Sequence, residues 1–187
     1  MESRNAKANT VSAENQLESS QYVKITENGG KLKILFAGNS ITRHAPAPEI
    51  GWYGDWGMAA SSEDNDYVHQ FVRMFSQKYG EVDYCVAQCS KWESDYTNGK
   101  EVLNRYYKKA RDFKADIVIV RLGENINREK NAQISCKPYY DEMIKYFKSN
   151  DNAKVIITDN FWNIPVLDEI FKEVIAENGY ILQTRRS

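Results

Sequence analysis

The sequence predicts a single α/β domain in which a mostly parallel sheet carries helices on both faces. Five apolar runs are spaced along the chain, and segments with helical spacing lie between them. Alternating strands and helices are typical of right-handed crossover connections, which produce a parallel sheet between two helix layers. The length of 187 residues is close to that of one such domain.

The apolar runs are the predicted strands, so we expect a five-stranded sheet. The first four are nearly continuous in Ile, Val, Leu or Phe, which is typical of strands buried on both faces. The fifth run is shorter and weaker. The runs span residues 31–38, 82–88, 115–123, 153–160 and 179–182.

Four segments between these runs have apolar residues at i, i+1, i+4 and i+5, a stripe that predicts an amphipathic helix. Gly80 follows the first stripe and Gly179 follows the last, as is typical of helix C-termini. Pro165 precedes the last stripe and suits a first helical turn. The stripes span residues 67–75, 102–110, 139–147 and 166–175.

Composition and charge exclude several classes of function. Lys plus Arg total 25 and Asp plus Glu total 26, a net charge of -1 with no basic stripe, so binding to nucleic acid is not expected. No apolar run reaches the roughly 18 residues of a membrane span. Residues 1–21 are polar and non-periodic, which predicts a flexible tail ahead of a domain at 22–187. No apolar leader precedes that domain, which favours the cytoplasm.

Cysteine and histidine usage argues against bridges and metal centres. An odd and sparse set of three cysteines, Cys85, Cys89 and Cys136, is not typical of a disulfide framework. With only two histidines besides, a zinc site is not expected. We therefore predict that the domain uses no metal and no cofactor.

Chemistry is expected beyond the carboxyl ends of the strands, where ligands bind in parallel α/β folds. Ser40 follows Gly38 and Asn39 after the first strand, and a glycine here permits a sharp turn that exposes the hydroxyl. Asn125 follows Gly123 and Glu124 after the third strand, where its amide can donate to a developing oxyanion. Each feature alone also fits an ordinary capped loop.

Together, GNSIT at 38–42 and GEN at 123–125 resemble the SGNH/GDSL hydrolase superfamily, and the aromatic stretch that follows GNSIT resembles its carbohydrate-esterase members. The resemblance implies a flavodoxin-like three-layer sandwich that hydrolyses esters. It assigns Ser40 as the nucleophile and Asn125 to the oxyanion hole. Ser90 stands nearest to the glycine whose backbone amide completes that hole. Ile126 replaces the aspartate that usually follows the asparagine.

The family's catalytic Asp-x-x-His pair follows the fifth strand, and here only five residues follow Leu182. We therefore expect the domain to be truncated at its C-terminus, weakly active, and able to self-associate through the uncovered side. His44 lies four residues after Ser40, but Pro46 biases Ala45 away from a helix, and Pro48 follows. His44 is a candidate substitute base or a substrate contact.

Aromatic and polar residues near the strand ends are candidate substrate contacts. Indole rings stack on sugars, although they can equally cap the open end of a core. The candidates are Asn39, His44, Trp52, Trp56, Trp92, Glu124 and Trp162.

Two further functions remain open beside an esterase acting on carbohydrate esters. The first is a non-catalytic carbohydrate-binding module on the same scaffold. The second is a flavin or nucleotide binder, which the sequence disfavours because it lacks both a G-x-G-x-x-G stretch and a phosphate-loop lysine.

Overall fold

A computed structural model describes residues 16–184 as a six-stranded sheet flanked by helices. The strand order is β1-β3-β2-β4-β5-β6. β1 pairs antiparallel with β3, and every other neighbouring pair is parallel. The strands are β1 (Val23–Thr26), β2 (Leu32–Gly38), β3 (Val82–Gln88), β4 (Ile117–Arg121), β5 (Lys154–Thr158) and β6 (Ile181–Gln183).

Seven α-helices lie within this range. Three predicted stripes each fall on one helix, whereas the stripe at 102–110 is divided between two helices at Tyr107. The α-helices are α1 (Tyr67–Tyr79), α2 (Ser90–Ser94), α3 (Gly99–Tyr106), α4 (Lys108–Asp112), α5 (Arg128–Gln133), α6 (Lys137–Phe147) and α7 (Pro165–Asn178). As predicted, Pro165 begins α7 and Gly179 ends it in a left-handed conformation.

The α/β class and the mostly parallel sheet are confirmed, whereas the expected number of strands is wrong. All five apolar runs form strands, and β1 is the additional one. β1 is a four-residue edge strand that pairs only with β3. An edge strand is not enclosed on all sides, so it does not require a continuous apolar run.

Alternate residues of the central strands enter separate hydrophobic clusters on the two faces of the sheet. Leu35, Ala37 and Val118 belong to the larger cluster, which includes apolar residues of α3, α4, α6 and α7. Ile34 and Phe36 belong to the smaller cluster, where the apolar residues of α1 pack. We call these the large-cluster face and the α1 face.

The α1 face is covered less completely than the large-cluster face. Phe36 packs edge-on against Tyr67 and Phe71 of α1. Across β4, β5 and β6, the aligned residues on this face are Ile119, Ile156 and Ile181. Ile119 is buried, Ile156 is partly exposed, and Ile181 is 48% exposed. An apolar strip therefore reaches solvent towards the β6 edge.

The predicted N-terminal tail can be compared with the structure over only part of its range. Residues 1–15 lie outside the described residues. Residues 16–21, predicted as part of a flexible tail, instead pack on the domain: Gln16 and Leu17 are buried, and Ser19–Gln21 form a 3-10 turn. Leu17 joins the large cluster, and this tertiary contact is what orders a segment with no periodicity of its own.

None of the helices described between residues 16 and 184 has the length and apolar character needed to cross a membrane.

Candidate functional site

The turn after β2 brings Ser40 to the carboxyl edge of the sheet. The Asn39 carbonyl accepts hydrogen bonds from the amides of Thr42 and Arg43, and its side-chain oxygen accepts from the Ile41 amide at 3.1 Å. Gly38 is required here because a Cβ would lie 1.8 Å from the Thr42 hydroxyl. The turn is therefore compact, and Ser40 is half-buried at its top.

A buried carboxylate, Glu93 of α2, joins this turn to the loop after β4. Its Oε1 accepts from Asn39 Nδ2 at 3.2 Å, from the Gly123 amide at 2.8 Å and from the Asn125 amide at 3.2 Å. Its Oε2 accepts from Asn125 Nδ2 at 2.7 Å. Glu93 thus holds the residue before Ser40 and the Asn125 loop in one network.

A second carboxylate, Glu124, lies on the other side of Asn39. Asn39 Nδ2 also donates to Glu124 Oε2 at 2.6 Å. Glu124 Oε1 accepts from Arg121 Nη2 at 3.1 Å and from the Phe161 amide at 2.7 Å. Asn39 therefore bridges two carboxylates, of which Glu124 has a cationic partner.

The environment of Glu93 changes its protonation equilibrium. Burial and the neighbouring Glu124 charge raise the pKa of Glu93 to about 7, although the donors of Asn125 and Gly123 oppose this shift. Such a carboxyl changes its charge near neutral pH. Strongly shifted carboxyls of this kind are enriched at functional sites, and they also occur in structural networks.

The structure brings several predicted site residues together. Ser40 follows Asn39, and Asn39, Glu124 and Asn125 are linked through the two carboxylates. Gly38 pairs with Gln88 of β3 and with Arg121 of β4, so the loops carrying Ser40, Ser90 and Asn125 leave adjacent strands at the same edge. Asn125 itself is exposed.

Two predicted substrate contacts are wrong. His44 is fully buried, with Nδ1 2.7 Å from the Ala45 carbonyl and Nε2 3.1 Å from Gln16 Oε1. Burial lowers the pKa of His44, which favours the neutral ring. Trp92 is also fully buried and packs between Tyr96 and Tyr140 in the large cluster. Both side chains are part of the protein interior rather than of a substrate surface.

The surroundings of Ser90 differ from those that its expected role in the oxyanion hole requires. It is fully buried, and its amide donates to the side-chain oxygen of Gln88 at 3.1 Å. The Ser90 hydroxyl donates to the same Gln88 oxygen at 2.7 Å. An oxyanion would have to compete with Gln88 for this amide.

The remaining tryptophans are accessible to different degrees. Trp52 and Trp56 are half-buried, with ring centroids 5.5 Å apart, and their indole nitrogens donate to carbonyls of the same loop. That loop returns to the site, because the Met58 amide donates to the Ser40 carbonyl. Trp162 is 59% exposed and packs edge-on against Phe161.

Sequence reasoning missed three residues of this region: Glu93, Arg121 and Phe161. Arg121 gave a visible signal, since it ends a strand that is otherwise apolar and buried on both faces. Glu93 gave a weaker one. The spacing of Trp92 and Tyr96 indicates a helical turn, but nothing local indicates that the acid between them is buried. Phe161 was overlooked beside Trp162.

Within residues 16–184, no cluster of three or more His, Cys, Asp or Glu side chains could hold a metal ion.

Comparison of the chain with protein-family models, curated proteins and solved structures finds no match.

Proposed function

We propose that this domain is a serine ester hydrolase of SGNH type that acts on carbohydrate esters, with Ser40 as its nucleophile. Numbered from β2, the parallel strands run in the order 2-1-3-4-5, which supports the flavodoxin-like arrangement that this proposal requires. In that arrangement ligands bind at the switch point, beyond the ends of β2 and β4. Ser40 follows β2, and Asn125 follows β4.

One observation carries the proposal: the Glu93 carboxylate is bonded both to Asn39, which precedes Ser40, and to the side chain of Asn125. The two blocks that resemble the hydrolase family are thus connected through Glu93, and Asn39 also donates directly to Glu124. Asn125 has two amide hydrogens, and Glu93 takes one of them. The second can donate to an oxyanion, and Glu93 acts as the residue that positions it.

In the proposed reaction, the Ser40 Oγ attacks the ester carbonyl carbon and loses its proton to a base. The carbonyl oxygen becomes an oxyanion that accepts from Asn125 Nδ2. The alcohol then leaves with a proton, and water hydrolyses the acyl-serine to free acid and Ser40. The resemblance calls for a histidine as the base, oriented by an aspartate.

The two histidines of this sequence do not support that role. His44 is bonded to Ala45 and Gln16 inside the domain. His69, which lies on α1, has its Nδ1 2.8 Å from Asp66 Oδ1 and its Nε2 3.2 Å from Glu63 Oε1. Loss of a triad histidine can lower the rate about a million-fold, so we expect only slow hydrolysis by this chain.

Hydrolysis of 4-nitrophenyl acetate tests the proposal. The slow rate should disappear in Ser40→Ala and fall about a hundredfold in Asn125→Ala, which removes the oxyanion donor. His44→Ala should change it by less than about threefold, whereas loss of a true base costs about a thousandfold or more. Asn98→Ala, which removes an exposed amide bonded to Asp95, is the matched control. Equal rates for the unchanged chain and Ser40→Ala would refute the proposal.

A second candidate is a carbohydrate-binding domain without catalysis. The observation that favours it is the exposed pair of Phe161 and Trp162 beside a site with no histidine bonded to Ser40 among the described residues. Binding of a sugar by a protein that does not hydrolyse the aryl ester would support this alternative.

A further inference from the structure

Two carboxylates, Glu93 and Glu124, lie close together behind the Ser40 turn. Both accept from the same nitrogen, Asn39 Nδ2, at 3.2 Å and 2.6 Å. Glu124 forms an ion pair with Arg121, whereas the four hydrogen bonds that Glu93 accepts all come from uncharged amides. A buried carboxylate that lies beside a second carboxylate and is held by neutral donors is more easily protonated than one paired with a cation.

The titratable groups packed around Glu93 do not offset its charge. Cys89 precedes α2, Tyr107 follows α3, Tyr140 lies on α6, and Glu124 follows β4. Burial raises the pKa values of Cys89, Tyr107 and Tyr140, so these three groups are uncharged at neutral pH. Burial and the Glu124 charge raise the pKa of Glu93 to about 7. Glu93 therefore exchanges a proton near neutral pH.

Protonation of Glu93 changes which of its hydrogen bonds can persist. The ionised carboxylate only accepts, whereas the protonated group has one O–H that must donate. The amides of Gly123 and Asn125 are backbone donors, which cannot become acceptors. The Asn39 side chain is fixed at both ends, since its Oδ1 accepts from the Ile41 amide and its Nδ2 also donates to a second carboxylate. The Asn125 side chain is the partner that can turn.

The Asn125 amide is free to reverse. The residue is exposed, and its Oδ1 has no hydrogen-bond partner among the residues that the structure describes. A half-turn about the last side-chain bond exchanges Oδ1 and Nδ2, so Oδ1 accepts from Glu93 where Nδ2 donated at 2.7 Å. This exchange avoids the cost of about 1–3 kcal/mol for a buried polar group without a partner. The position that offered a second amide hydrogen to the substrate then offers an oxygen.

We infer that Glu93 and Asn125 form a proton-controlled switch of the oxyanion hole: ionised Glu93 holds Asn125 as a donor to the oxyanion, and protonated Glu93 reverses the amide and removes that donor. The proton is exchanged with solvent, and the carboxyl O–H is the one covalent bond that forms or breaks. The catalytic consequence of the switch rests on the proposed function, to which it adds regulation by pH. Hydrolysis is then favoured above pH 7.

Solution NMR on the 187-residue chain tests the switch without requiring catalysis. The ¹³C shift of the Glu93 carboxyl carbon should titrate with a midpoint near pH 7. The side-chain amide signals of Asn125, identified by their loss in Asn125→Ala, should change with the same midpoint because the bond to a carboxylate is lost. The inference is overturned if Glu93 does not titrate between about pH 5 and 9. It is equally overturned if Glu93 titrates and the Asn125 signals stay constant.

Glu93→Gln provides a variant that imitates the protonated state. Its amide can donate to Asn125 Oδ1 and does not titrate, so the Asn125 signals should match those of the low-pH form at every pH. Glu101→Gln, which changes an exposed carboxyl of α3, is the matched control and should leave both titrations intact. Signals of the high-pH form in Glu93→Gln would contradict the switch. Circular dichroism checks the fold of the variants, and the titration of the unchanged chain decides the question if Glu93→Gln does not fold.

Hydrolysis of 4-nitrophenyl acetate measures the catalytic consequence. The rate of Ser40→Ala is subtracted at each pH, which removes the reaction with hydroxide in solution. The remaining rate of the unchanged chain should exceed that of Asn125→Ala by about twofold at pH 5 and by about a hundredfold at pH 8.5, because the oxyanion donor is present only at the higher pH. A ratio that stays constant with pH would show that the switch does not control the donor.

The outcome is separable from that of the proposed function. Coupled titration of Glu93 and Asn125 without Ser40-dependent hydrolysis would support the switch and refute the hydrolase. Ser40-dependent hydrolysis without coupled titration would do the reverse.

Discussion

The two faces of the sheet differ in how completely they are closed to solvent. Towards the large-cluster face, Glu93 lies near the buried Tyr107 and Tyr140, and its carboxylate accepts four hydrogen bonds. On the α1 face, Ile156 is partly exposed and Ile181 is about half exposed. Buried polar atoms without a described partner occur on both faces, at Arg121 Nη1 and at Trp92 Nε1 and Tyr140 Oη. The first region is closed and serves to hold loops in position. The second is open and can accept a ligand or a partner surface.

The largest expected effect is that of Glu93→Ala. Removal of this buried carboxylate leaves four donors without their acceptor, and we expect a loss of about 4 kcal/mol in the free energy of unfolding. Phe161→Ala on the open side should change it by less than about 0.5 kcal/mol. Urea unfolding of both variants measures the contrast. Similar losses in the two variants would contradict the distinction between a closed and an open side.

The next largest difference between the two faces is expected when core side chains are shortened to alanine. Leu35→Ala acts on a fully buried residue of the large cluster, and it should cost about 3 kcal/mol because it leaves a cavity. Ile156→Ala acts on the partly exposed strip of the α1 face and should cost about 1 kcal/mol. The difference in urea midpoints checks this, and equal midpoints would mean that the α1 face is sealed in solution.

The pH dependence of the free energy of unfolding should reflect the ionisation of Glu93. Its pKa is raised from 4.5 to about 7, so between these values the folded protein binds more protons than the unfolded chain. Stability from this group is therefore complete below about pH 4.5 and is lost as the pH rises through about 7, a change of about 3 kcal/mol.

Glu93→Gln cannot titrate, so it is the control for that measurement. The variant should lack this component of the pH dependence, measured as urea midpoints from pH 4.5 to 8. An unchanged profile would assign the dependence to other groups.

The smallest effect concerns association. The apolar strip that ends at Ile181 predicts concentration-dependent self-association, and Ile181→Lys should reduce it while changing stability by less than about 0.5 kcal/mol. Tyr79→Lys, at an exposed aromatic of α1, is the control. Sedimentation velocity over a range of concentrations distinguishes them. A monomer at every concentration would show that the strip does not promote association.

The sequence located secondary structure better than it located the site. The apolar runs and the helical stripes are local patterns, so they identified five strands and the main helices. The antiparallel strand β1 was missed because an edge strand needs little apolar content. The predicted roles of Ser40 and Asn125 depend on a resemblance, and kinetic tests must decide them.

The errors at the site have a common physical cause. His44 and Trp92 are residue types that also serve at binding surfaces, and both are fully buried here. Glu93 was missed for the opposite reason, since an acidic residue in a polar segment is normally solvated. Whether such a side chain is buried depends on partners from other parts of the chain.

What the sequence alone determined is the α/β class, the order of the elements and the strand ends at which polar residues accumulate. The tertiary structure decided which of those residues meet. Glu93 bonds to Asn39 and Asn125, which are 54 and 32 positions away, and Arg121 lies between rings from α1 and from the loop after β5. Hydrophobic periodicity is encoded over a few neighbouring residues, whereas burial, the pKa of Glu93 and the unpaired Arg121 nitrogen arise only when distant segments pack together.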